Sequence, residues 1–162
     1  MNHRNEVNID PTWQGLIKWG GISLVIASII VIIFIVGVGV FHVTLPLDPA
    51  TVLERPNVPT TLFIITIFGE FLLLPGFLAL YFVLRKVDKA KMFIAAVLGA
   101  FSVVMFFVSR ALIISLSQVS AGYKSAATDS GKAAYLAAAE VALETQNVYS
   151  TIALIFLSLA SI

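Results

Sequence analysis

The segment from Trp19 to Phe41 carries no charged side chain. As a helix it would be roughly 35 Å long, enough to cross a hydrocarbon core of about 30 Å. Such a run has few folded solutions, because in lipid every backbone N–H and C=O must be satisfied within the segment, and a helix does this. Two further runs repeat the pattern. Thr61 to Leu84 is broken only by Glu70, and Met92 to Leu116 only by Arg110. A fourth run, Asn147 to Ile162, falls short of the roughly 20 residues that a crossing needs. A carboxylate after Ile162 would lie inside the bilayer, so the sequence is expected to be the N-terminal part of a longer chain. The other option is one helix running from Lys132 through the membrane, which brings Glu140, Glu144, Gln146 and Asn147 into or near lipid.

The expected fold is therefore all-α: a polytopic integral membrane helix bundle in a single domain, 1–162. Its four recognisable spans lie near 19–41, 61–84, 92–116 and 147–162. The first span is too long for the apolar core of a secretory signal and lacks an Ala-x-Ala-like cleavage pattern. Glu6 and Asp10 before it also disagree with a signal's basic start.

Composition narrows the function classes. Of the 162 residues 59% are apolar and only 12% charged, with a mean hydropathy of +1.00. Soluble globular domains carry about twice that charge. Water-soluble enzymes, disordered chains and nucleic-acid binders are excluded; ten basic against nine acidic residues leave no field to hold a polyanion. No cysteine is present, which removes disulfides and thiolate chemistry.

Basic residues set the expected orientation. Arg85, Lys86, Lys89 and Lys91 lie between spans two and three, and Arg4 and Lys18 precede span one. They outnumber Arg55, Lys124 and Lys132 on the other side. The N-terminus and loop 85–91 are thus expected in the cytoplasm, with segments 42–60 and 117–146 outside a cell membrane. Pro46, Pro49, Pro56 and Pro59 favour an extended first outer loop. The second begins with turn chemistry around Gly122 and 128–131, then becomes an alanine-rich helix leading into span four. Asp129 or Ser130 is the expected N-cap.

Glu70 and Arg110 are the informative positions. A charge near the middle of a span costs about 2.5–3.5 kcal/mol on insertion scales, so both should face protein or water. Spans two and three form an antiparallel hairpin. Glu70 lies roughly 21 Å above Leu84 and Arg110 roughly 27 Å above Met92, an offset of about one turn. An ion pair in the outer half is the natural reading. Two alternatives stand beside it: Arg110 snorkelling to the outer interface, and Glu70 held neutral against neighbouring hydroxyls. Glu140 and Glu144 are rival partners for Arg110. Pro75, shortly after Glu70, removes a helical hydrogen bond and predicts a kink.

Polar stripes point the same way. Ser102, Ser109, Arg110 and Ser117 share about a third of the third helix's circumference, and Asn147, Ser150, Thr151, Ser158 and Ser161 do so on the fourth. Thr66 is one turn from Glu70. Glu70, Arg110, Thr66, Ser102, Ser109, Ser117, Asn147 and Thr151 thus form the candidate polar face. Small residues that let helices approach are the plainer explanation, and Ala95, Ala96, Gly99 and Ala100 fit it. His3 and His42 fall on opposite sides and cannot share a metal; no cofactor or catalytic motif is recognised. Trp13, Trp19, Phe41 and Tyr81 read as interfacial anchors.

Leu80-Tyr81-Phe82-Val83-Leu84-Arg85-Lys86 closes span two, and Ile113-Ile114-Ser115-Leu116-Ser117 ends span three. An alanine-rich outer helix follows, with Gln146-Asn147 entering span four. In these features, over roughly residues 20–162, the chain resembles the small prokaryotic multi-span membrane proteins grouped as domain of unknown function 4386. The resemblance implies a longer helical membrane protein and supplies no catalytic residues. The expected function is non-enzymatic: a structural, accessory or regulatory membrane component, in contact with lipid and with a membrane-protein partner or its own copies. The alternative is a small transporter or channel subunit binding a polar solute or proton near Glu70 and Arg110.

Overall fold

The computed structural model describes residues 11–43 and 45–161; His3, Arg4, Glu6, Asp10 and Ile162 lie outside the described residues. Five helices follow one another: α1 (Pro11–Val40), α2 (Pro49–Glu54), α3 (Asn57–Leu84), α4 (Lys89–Ser125) and α5 (Asp129–Ala160). No strand occurs among the described residues. Three of the helices, α1, α3 and α4, are long and apolar enough to cross a membrane.

Side-chain caps set several helix starts. Asp48 accepts the Thr51 amide at 2.8 Å ahead of α2, and Asp88 accepts the Lys91 amide at 3.0 Å ahead of α4. The cap of α5 is Thr128, not Asp129 or Ser130. Thr128 has the extended backbone that an N-cap needs, and its hydroxyl accepts the Gly131 amide at 3.1 Å.

Other departures from expectation have equally local causes. The proline-rich segment 42–60 is not simply an extended loop: Pro49 opens α2 in the first turn, where its missing N–H costs nothing, and α3 already begins at Asn57. Gly122 is not a turn. It lies inside α4, which runs on to Ser125, and the Tyr135 ring of α5 packs where a Gly122 side chain would stand. The alanine-rich outer helix and the fourth apolar run form one unbroken helix, α5. Helix α3 continues past Pro75, which neither meets nor contradicts a kink there.

The helices pack as a row: α1 on α3, α3 on α4, and α4 on α5, and among the described residues no substantial interface joins α1 to α5. Glycines make the first contact. Gly20, Ser23 and Ala27 form the buried stripe of α1. Gly20 lies against the backbone of Pro75 and against Ala79, Gly76 against Leu24, Gly69 against Ile30, and Gly37 against Leu62. Gly99 of α4 similarly faces the Phe77 ring of α3. The rest of α1 is outward and apolar, with Val25, Ile32 and Ile35 about 60% exposed.

The best-buried core lies at the end of the helices opposite the 85–88 turn. There α2 sits across α4 and α5, and Val52 and Leu53 pack with Phe63, Ile113, Leu116, Ala139 and Leu143. The Ser120 hydroxyl of α4 donates to the Leu53 carbonyl and ties α2 down.

Candidate functional site

Helix geometry brings together the two charges that interrupt the apolar runs. Glu70 points from the middle of α3 toward α4, and the Arg110 Nε–H donates to Glu70 Oε1 at 3.0 Å. The side chains are 10% and 13% exposed, so the pair is largely enclosed. Glu140 and Glu144, the rival partners, are exposed on α5. Phe63, two turns before Glu70 on α3, lies 4.7 Å from the guanidinium carbon, and Phe106, one turn before Arg110 on α4, lies 5.6 Å away. These rings shield the pair from surrounding solvent and attract the cation through their faces. Glu70 Oε2 is buried with no hydrogen-bond partner among the described residues.

A second polar cluster links α4 to α5. Gln146 Nε2 donates to Ser109 Oγ at 3.0 Å and to Ser150 Oγ at 2.8 Å, and the two hydroxyls share a bond of 2.7 Å. Deeper along the same interface, the Ser102 hydroxyl donates to the Ala153 carbonyl at 2.9 Å. Among the described residues the side-chain partners of Ser109 and Ser150 are each other and Gln146.

The remaining candidates are not brought into this site. Ser117 is exposed on α4 and returns its hydrogen bond to the Ile114 carbonyl; Ser120 takes the buried position instead. Thr151 is exposed and donates to Asn147 O of its own helix; Ser158 and Ser161 are exposed too. Thr66 is buried, but its hydroxyl is satisfied by the Phe63 carbonyl and not by Glu70. Asn147 is exposed and lines the mouth of a cleft. Gln146 and Ser120 are the residues that a search for hydroxyl stripes missed. The signal was the three- and four-residue spacing of 139, 143, 146, 150 and 153 on α5 and of 109, 113, 116 and 120 on α4, all buried except the half-buried Ser150.

The cleft measures about 360 Å³ and lies beside the ion pair, bounded by α1, residues 45–47, α3, α4 and α5. Arg110, Gln146, Asn147 and Ser150 supply its polar wall, and Phe34, Phe63, Phe106 and Leu154 its apolar one. A larger groove of about 520 Å³ lies near the 85–88 turn, but it is mostly apolar, and of the polar stripes only Ser161 is in its lining. No group of acidic residues, histidines or cysteines able to hold a metal occurs among the described residues. Comparison with protein-family models, with curated proteins and with solved structures finds no match.

Proposed function

We propose that this chain is a four-span integral membrane protein of non-enzymatic role, a structural, accessory or regulatory component. In this reading the Glu70–Arg110 pair clamps α3 to α4. The N-terminus and loop 85–88 face the cytoplasm; α2 and the 126–128 turn face outside. The resemblance to the domain of unknown function 4386 proteins agrees with this reading and rests on the motifs named above alone. The observation that carries the proposal is the enclosed ion pair in a row of helices whose outward faces are apolar. Such a surface suits lipid, and a charge pair within it must be held by protein.

The clamp has a direct test. Removing one partner of a buried pair leaves the other uncompensated and costs about 3–5 kcal/mol. Glu70→Gln and Arg110→Met should each destabilise the protein in detergent, and the double variant should lose less than their sum. Additive losses would show that the pair does not hold the helices together.

The second reading, a small transporter or channel subunit, is favoured by one feature. Only one N–H of the guanidinium is engaged by Glu70, and Arg110 lines the cleft. Proteoliposome flux separates the two. Coupled stability with no flux, or with flux surviving the double change, supports the clamp; coupling together with flux abolished supports a transport site.

A further inference from the structure

Among the described residues helices α1 and α5 end the row without a substantial interface between them, and both line the cleft beside Arg110. Its volume, about 360 Å³, lies in the range of small-ligand sites, which run from about 300 to 1,000 Å³. The lining is mostly apolar and comes from four helices: Phe34, Phe63, Phe106 and Leu154. Against this wall stands a donor group. A guanidinium has five N–H donors; Glu70 takes the one at Nε, and no other protein acceptor engages the group among the described residues. Glu70 itself is not part of the lining, so the cleft meets the donor half of the pair. Asn147 adds an amide at the mouth, and no protein group accepts from it among the described residues.

Charge decides which acceptor fits. Glu70 already neutralises Arg110, and a second anion in this apolar setting would stand without a compensating charge. An oxygen that accepts hydrogen bonds without bearing charge avoids that cost. The gap left between α1 and α5 and the phenylalanine wall call for an apolar body attached to it. We propose that the cleft binds an uncharged amphiphile through a carbonyl oxygen, held by the Nη groups of Arg110 and the amide of Asn147. Its aliphatic tail lies along Phe106 and Leu154 and leaves between α1 and α5. This goes beyond the clamp, which needs no ligand, and leaves the ion pair in place.

The test uses the protein in an ester-free maltoside detergent, with methyl decanoate as probe and calorimetry as readout. Saturable binding is expected, and Asn147→Ala should weaken it about three- to tenfold, the loss of one neutral hydrogen bond. Ser117→Ala, at an exposed position away from the cleft, should leave it unchanged. Asn147 is exposed, so its variant retains the fold, and helix content by circular dichroism verifies this. Phosphatidylcholine that displaces the probe identifies the ligand as an ester of the bilayer; failure to displace it identifies a smaller, free carbonyl compound. Decane binding as tightly as methyl decanoate would overturn the proposal, as would tighter binding of ionised decanoate. Unaltered affinity in Asn147→Ala would overturn it as well.

Discussion

Gln146 shows how a single polar side chain is placed inside an apolar interface. Its amide nitrogen reaches both Ser109 on the neighbouring helix and Ser150 one turn along its own. Replacing it with leucine removes both bonds but leaves the serine hydroxyls bonded to each other. Gln146→Leu should therefore cost only about 1 kcal/mol, in line with polar contacts in membrane interiors, measured by SDS-induced unfolding. Asp48 presents the opposite case, a carboxylate outside the spans. The Thr51 backbone amide and hydroxyl both donate to it and hold its carboxyl below the ordinary carboxylate value. With the folded value depressed, the stabilisation is present above the ordinary pKa and is lost as pH falls through the lowered one. Asp48→Asn keeps a capping oxygen that does not titrate, so it should flatten the acid limb of the melting-temperature profile below about pH 4. An unchanged limb would assign acid sensitivity to another group. At this scale the sequence was most legible where it was most anomalous. Glu70 and Arg110 stand out because nothing else in their runs is charged, whereas Gln146 sits among polar neighbours and carries no such contrast.

Among the elements, the α1–α3 contact depends on which glycine faces the partner. A methyl group on Gly20 would meet Ala79 Cβ and the Pro75 carbonyl oxygen, a backbone atom that cannot swing aside; one on Gly21 would meet nothing. Gly20→Ala should thus destabilise the α1–α3 pair, while Gly21→Ala should be neutral or gain up to about 1 kcal/mol from helix propensity. Equal effects of the two changes on thermal unfolding in detergent would mean that α1 does not pack through this stripe. The α4–α5 contact was only half legible. Its buried positions recur at alternating three- and four-residue steps on both helices, the spacing of left-handed helix packing. That stripe mixes serines with Ile113, Leu116, Ala139 and Leu143, so hydroxyls alone trace it poorly. Ser109 belongs to it, but the step to Ser117 is one residue too long and turns that side chain outward. Likewise, α2 was hidden by its prolines: they exclude a long helix, yet Pro49 is well suited to open a short one. Its docking depends on Leu53 and Ser120, distant in sequence and without a shared local pattern.

For the molecule as a whole, apolar length and charge placement gave the helical class at once, because few structures satisfy a backbone in lipid. The order of packing was not legible in the same way: an open row and a closed bundle can share the same spans and the same alternation of direction. What separates them is where the small residues fall, and α1 spends its one glycine stripe on α3. The proposed crossings have a clean chemical readout, because the chain contains no cysteine. Single cysteines at Asn57, Lys89, Asp129 and Ser161 mark the start of α3, the start of α4 and both ends of α5, on alternating sides. Treated with a membrane-impermeant maleimide from outside intact cells, Asn57→Cys and Asp129→Cys should label. Lys89→Cys and Ser161→Cys should label only after permeabilisation. Labelling of Ser161→Cys from outside would show that α5 does not cross, and a reversed pattern at Asn57 and Lys89 would contradict the orientation.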